Sequence, residues 1–219
     1  MVTLCWAAKG GSGTTVVTVA LALECNHHAL IVDLDGEVPA VLGLPEPDRP
    51  GVLDWLASDA PANQIADLVV DFERNASYLP HRLGSGPRPL RSADESRWSE
   101  LARWVGGQRD TGGVDVFIDG GTGSPHQALI EVADRSLLVT RPCYLSLRRA
   151  VRSGIRPTGV VLVAEPGHGL TSRDVEHAIG APVIATVSFD PAVARAVDAG
   201  LLGSRLPRVI SRELRRAVA

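Results

Sequence analysis

A chain of 219 residues with a net charge of −3, 45% hydrophobic and 4% aromatic residues is long enough to bury one α/β core and too short for two. Its slight acidity offers no global attraction to nucleic acid, and its three cysteines, Cys5, Cys25 and Cys143, form no C-x-x-C pair, which argues against a disulfide framework or a zinc site and for a reducing compartment. No stretch has the make-up of a signal peptide or the length of a membrane span, so a cytoplasmic protein is expected.

The first predicted strand starts at Val2 and runs into a glycine-rich turn, Lys9-Gly10-Gly11-Ser12-Gly13, which leaves through Thr14-Thr15 into a helix reaching about Cys25. Glycines let the backbone curl until successive N–H groups point at one spot, and the helix N-terminus adds its positive dipole end there. A phosphate-binding P-loop is built this way. The ordinary pattern G-x-x-x-x-G-K-[ST] has lysine where Thr14 stands, whereas Lys9, the only lysine in the chain, sits at the loop entrance. In a chain whose other strongly basic residues are all arginine, that position is one that needs a compact ammonium.

The next strand, Ala29–Asp33, ends in Asp33-Leu34-Asp35-Gly36. A buried parallel strand that stops at carboxylates places them on its C-terminal edge, beside the loop. His27 and His28, just before it, read as solvated turn residues far more readily than as metal ligands. A proline-rich connection spans Pro39 to Pro50, followed by a short helix at 51–56 with Trp55 inward, another over 62–69 and a short strand at 76–79. Residues 80–97 show no periodicity and predict a flexible surface loop. A helix is expected from Trp98 to Val105, and then Val114–Ile118 leads to Asp119-Gly120-Gly121, the form of a Walker B strand whose aspartate supports magnesium.

Strands at 136–140, 159–163 and 182–187 then alternate with helices at 144–153 and 172–179. This alternation predicts one α/β domain over 1–219, a doubly wound, mostly parallel sheet with helices on both faces. Asp190-Pro191 opens a helix to about Ala199. A basic C-terminal helix over 207–219 sets Val209, Ile210 and Leu214 against Arg208, Arg212, Arg215 and Arg216. It reads as a solvated terminal helix, with a non-specific DNA or membrane surface as the alternative partner.

Together these residues resemble the ParA/MinD family of deviant Walker A P-loop ATPases from the first strand to about Gly200. The family loop, KGG-x-GK-T-T, is similar to Lys9 through Thr15 except at Thr14. Its D-x-D resembles Asp33 and Asp35, its D-x-x-G is approximated by Asp119-Gly120-Gly121, and its late A-x-x-x-G helix end resembles Ala196 to Gly200. The stretch VDLDGEVPAVLGL also resembles the CpaE/TadZ-like branch. The resemblance implies ATP and Mg2+ as ligands, with Lys9, Gly10, Gly11, Ser12, Gly13, Thr14 and Thr15 around the nucleotide. Thr15, Asp33 and Asp119 would serve the metal, Asp35 would position the attacking water, and Lys9 would reach the nucleotide of the second subunit in a homodimer. The implied activity is an ATP-dependent dimerising switch with weak hydrolysis to ADP and phosphate. It would place a chromosome, plasmid, pilus or division machinery through an unidentified partner or cargo protein, at the nucleoid or inner-membrane periphery.

Two departures keep other readings open. Thr14 offers a hydroxyl where the family has an ammonium, and Ala164-Glu165-Pro166 stands where the family has an adenine-reading asparagine. A catalytically inactive pseudo-ATPase acting as a localisation scaffold is one alternative. An ATP-dependent metabolic ligase on the same fold is the other, although no substrate motif accompanies it.

Overall fold

Val2–Ala7, an apolar and β-branched run buried on both sides, forms β1, and Thr14–Leu23 forms α1. The computed structural model describes residues 1–82, 94–110, 113–164, 167, 169–204, 206 and 208–218. After α1 come β2 (His28–Asp33), α2 (Val38–Leu42), α3 (Val52–Leu56), a 3-10 turn at Ala62–Leu68, β3 (Val70–Glu73) and β4 (Ala76–Leu79). The second half holds α4 (Glu95–Asp110), β5 (Val114–Thr122), α5 (Gln127–Val132), β6 (Arg135–Thr140) and α6 (Tyr144–Ser153). It ends with β7 (Gly159–Ala164), α7 (Ser172–Ile179), β8 (Val183–Ser188), α8 (Pro191–Asp198) and α9 (Arg208–Val218).

Among the described residues eight strands order as β3-β4-β2-β5-β1-β6-β7-β8, with the β3–β4 pair alone antiparallel. The expected doubly wound, mostly parallel sheet is what the chain forms. Successive side chains point to opposite faces, so each central strand serves two cores. Leu4 and Trp6 of β1, Val32 of β2 and Ile118 of β5 pack under α3 to α7. Cys5, Ile31 and Phe117 face the other way, under α1, α2 and α9, with α8 at the margin. Because β5 is inserted between β1 and β2, its C-terminal end stands between the glycine loop and Asp33.

Several elements differ from expectation. The proline-rich connection holds α2, with Pro39 in its first turn, where a missing N–H costs nothing. Residues 62–68 wind as a 3-10 helix with Ile65 alone buried. β3, whose Val70 and Phe72 are half-buried while Asp71 and Glu73 are exposed, is a four-residue edge strand too short to signal itself. The helix expected from Trp98 begins at Glu95, so the expected 80–97 loop is shorter, and 83–93 lie outside the described residues.

The largest correction concerns α9. Its Ile210 and Leu214 are 1% and 0% exposed, and they join the core against β8 and α1. Ser211 Oγ donates to Glu24 Oε1 at 2.6 Å, which ties α9 to the end of α1. Arg208 and Arg212 stay exposed, while the side chains of Val209, Arg215 and Arg216 fall outside the described residues. The helix is a structural layer with one wet face. Ser211→Ala is expected to cost about 1 kcal/mol in urea unfolding, the usual net worth of such a bond; no change would leave the attachment to the packing of Ile210 and Leu214 and to the two hydrogen bonds that Glu213 accepts from Ser188 of β8.

Candidate functional site

The loop between β1 and α1 is shaped by backbone more than by side chains. Gly11 and Gly13 have φ of +74° and +85°, in the left-handed region, and a Cβ added to either would meet no atom within 4 Å. Their conformation excludes other residues while the space above them stays open. Ser12 is buried and its Oγ donates to the Lys9 carbonyl at 2.7 Å, which closes the turn. Gly13 caps α1 without any side-chain acceptor, and no acidic residue lies in the first turn. The N–H groups and positive dipole end of α1 therefore have no side-chain cap and no first-turn carboxylate among the described residues.

Thr14 and Thr15 open α1 and are both buried. Lys9 is half-buried at the loop entrance. Its ammonium also acts on Cys143 at the start of α6. Burial pushes that thiol up, but hydrogen bonding to Ser146 and the Lys9 charge outweigh it and leave the thiol below its usual range.

The carboxylates gather at the same edge. Asp33 of β2 and Asp119 of β5 are register partners, and Cys5 of β1 pairs with Asp119 on its other side. Both aspartates are 0% exposed. Asp33 Oδ1 accepts from the N–H groups of Asp35 at 3.1 Å and Gly36 at 2.7 Å, and Oδ2 accepts from Val38 at 3.3 Å. Asp33 thus folds the D-x-D turn back on itself, and burial raises its pKa against the pull of those donors and of His81. Asp119 Oδ1 accepts from Gly121 N–H at 3.1 Å, whereas Oδ2 is buried without a partner. Burial first, then the charges of Asp33 and Asp35, pushes Asp119 up to about 7 despite the neighbouring Thr15 hydroxyl and the Gly121 N–H. Asp35 is exposed and lies over Gly121, whose φ is +59° and where any Cβ would clash with the Asp35 carboxylate.

Every residue singled out in the sequence for the nucleotide, the metal or the attacking water, Lys9 to Thr15 with Asp33, Asp35 and Asp119, therefore stands at one end of one sheet. Two neighbours had no motif to announce them. Arg141 follows β6 and, with Gly11, Ser12 and Gly13, lines a cavity of about 510 Å3 whose far wall includes Val163, Val187 and Phe189. His81 follows β4 and, with Asp33, Glu46 and Asp48, lines a hollow of about 580 Å3. A strand-end position beside the loop was the only signal for either.

No family model matches the sequence, and no curated protein does. Solved structures match along nearly the whole chain. Septum site-determining protein MinD of Pyrococcus horikoshii, complexed with Mg-ADP, superposes with a TM-score of 0.74 at 18% identity, covering 99% of this chain and 93% of that one. A ParA family ATPase from Chlorobium tepidum gives 0.75 at 18% identity over 97% and 95%. The fold is that of MinD and ParA. Cyanothece McdA, in a variant bound to ATP, shares this fold at a TM-score of 0.69 and 18% identity over 100% and 95%.

The residues present fit a nucleotide phosphate with a divalent ion. An open glycine cradle at a helix end without a side-chain cap suits phosphate oxygens, and Asp119 Oδ2 is a buried acceptor that makes no hydrogen bond to a described residue. Such an orphan carries a desolvation cost that a bound cation or its water shell would relieve.

Proposed function

We propose that this chain is a ParA/MinD-type nucleotide switch, which binds ATP with magnesium, pairs with a second copy across the nucleotide, hydrolyses it weakly and so positions a partner or cargo. One observation carries the reading: an open phosphate cradle stands at the same sheet edge as the buried Asp119 carboxylate, one of whose oxygens has no hydrogen-bond partner among the described residues. The Mg-ADP bound by Pyrococcus MinD, the ATP bound by Cyanothece McdA and the MinC:MinD complex of Aquifex aeolicus support it as analogies. Among the described residues no helix is long and apolar enough to cross a membrane, which accords with action in the cytoplasm or at the nucleoid or inner-membrane periphery.

In this reading the N–H groups of Gly10 to Thr15 hold the phosphates. Thr15 and Asp119 hold magnesium, whose chemistry is to neutralise charge on the transferred phosphoryl group. Asp33 keeps the D-x-D turn in place, and exposed Asp35 orients water for in-line attack. Lys9 extends to the nucleotide of the opposite subunit. Catalysis is placement and charge, and one charge is missing, because Thr14 has a hydroxyl where an ammonium would meet the β- and γ-phosphates. Weak turnover follows from that absence. The same residue favours a second reading, a non-hydrolysing scaffold.

Light scattering separates the two. A ligand that touches both subunits binds the dimer better than the monomer and shifts the equilibrium by that difference. With magnesium and a non-hydrolysable triphosphate, the wild type is expected to double in mass and Lys9→Ala to stay monomeric with an unchanged circular dichroism spectrum. A mass indifferent to nucleotide in both proteins would overturn the switch and leave the scaffold.

A further inference from the structure

At the opposite end of the sheet from the glycine loop, three side chains of different chemistry converge. Cys25 lies just beyond α1, His27 two residues later in the turn into β2, and Asp115 is the second residue of β5. The pairing of β2 with β5 sets Ala29 beside Asp115, and His28 N–H donates to the Gly113 carbonyl at 3.2 Å, so the turn is fastened against the start of β5. Cys25 Sγ stands 3.1 Å and His27 Nδ1 3.0 Å from the same Asp115 oxygen, Oδ2. The three ligand atoms all lie within 4.8 Å of one another. Oδ1, the other oxygen, is taken by the Met1 ammonium at 2.6 Å.

We infer that Cys25, His27 and Asp115 form a metal site for a zinc-like divalent cation. A thiolate, an imidazole and a carboxylate are the ligand types of a borderline-soft ion, whereas magnesium or calcium takes all-oxygen shells. In a tetrahedral zinc site, bonds of about 2.0–2.3 Å separate neighbouring ligand atoms by roughly 3.3–3.5 Å. Cys25 Sγ and His27 Nδ1 each need to move away from Asp115 Oδ2 by only a few tenths of an ångström, and His27 turns to bring its own separation from Sγ into that range. His27, whose side chain is 67% exposed, has the freedom to do so. Oδ2 binds through one oxygen and leaves the Met1 ion pair on Oδ1 intact. Water fills the fourth position on the solvent side of His27. On binding, the Cys25 thiol proton passes to solvent and the S–metal bond forms, with no change of oxidation state. The ion would bolt the α1–β2 turn to β5, and nothing in this site depends on the nucleotide reading. Cysteine spacing alone pointed away from zinc because the third ligand comes from a strand distant in sequence and adjacent in the sheet.

Cobalt(II) added to the full chain at neutral pH tests this. A thiolate-to-cobalt charge-transfer band at one equivalent is expected, bleached by zinc, absent in Cys25→Ser and retained in Cys143→Ser. His27→Ala, at an exposed position whose loss leaves the fold in place by circular dichroism, is expected to weaken zinc binding by at least the ten- to hundredfold that losing even an outer-sphere partner costs. Three results would each overturn the site: no band, a band that survives Cys25→Ser, or zinc affinity unchanged in His27→Ala.

Discussion

Thr14→Lys is expected to tighten ATP–magnesium binding about ten- to a hundredfold in titration calorimetry, since a charge-assisted hydrogen bond contributes about 1.5–3 kcal/mol and each 1.4 kcal/mol is a factor of ten. Thr14 is the first residue of α1, and the space over Gly11 and Gly13 is open. The backbone at Thr14 is already fixed, its carbonyl accepting from Thr18 Oγ at 2.9 Å. Hydrolysis should rise by more than affinity, because the transition state places more charge where the ammonium stands. Affinity for ADP without magnesium should respond less. An unchanged triphosphate affinity in a folded variant would mean that the cradle does not take phosphate, and the nucleotide reading would fall with it.

Much of this site was legible in the sequence because it is built from local punctuation. A strand, a run of glycines and a helix start fix one another within a dozen residues, and an aspartate at the end of an apolar run is placed by the strand that carries it. β2 and β5 were readable in this way, and their register partners Asp33 and Asp119 met as expected. What escaped depends on tertiary contact. α9 looked like a solvated helix because it carries four arginines, yet the buried Ile210 and Leu214, the Ser211–Glu24 hydrogen bond and two hydrogen bonds from Ser188 of β8 to Glu213 dock it on α1 and β8. α2 was hidden by Pro39, which breaks helices except at the first turn, where it sits. Arg141 and His81 carry no motif and become site residues only because the parallel sheet brings the ends of β6 and β4 to the same edge as the loop.

A second large effect is expected at Asp119. Its pKa of about 7 in the folded protein lies well above the roughly 3.9 of an unfolded aspartate, so the folded state binds the proton more tightly. Stability from this group is therefore fully present below about pH 4, declines as pH rises from there to about 7 and is lost above, a span worth on the order of 4 kcal/mol. Asp33, raised in the same direction by burial, adds to the slope. Asp119→Asn removes the buried charge and keeps the shape. In the absence of ligand the variant is expected to be several kcal/mol more stable than wild type in urea at pH 8 and nearly equal to it at pH 4. Magnesium should reverse the order at pH 8, stabilising wild type and leaving the variant unmoved, because the charge that destabilises the free protein is the one a divalent ion would neutralise. A wild type whose stability is flat from pH 4 to pH 8, or an Asp119→Asn variant no more stable than wild type at pH 8, would show that Asp119 is relieved by some group other than a metal.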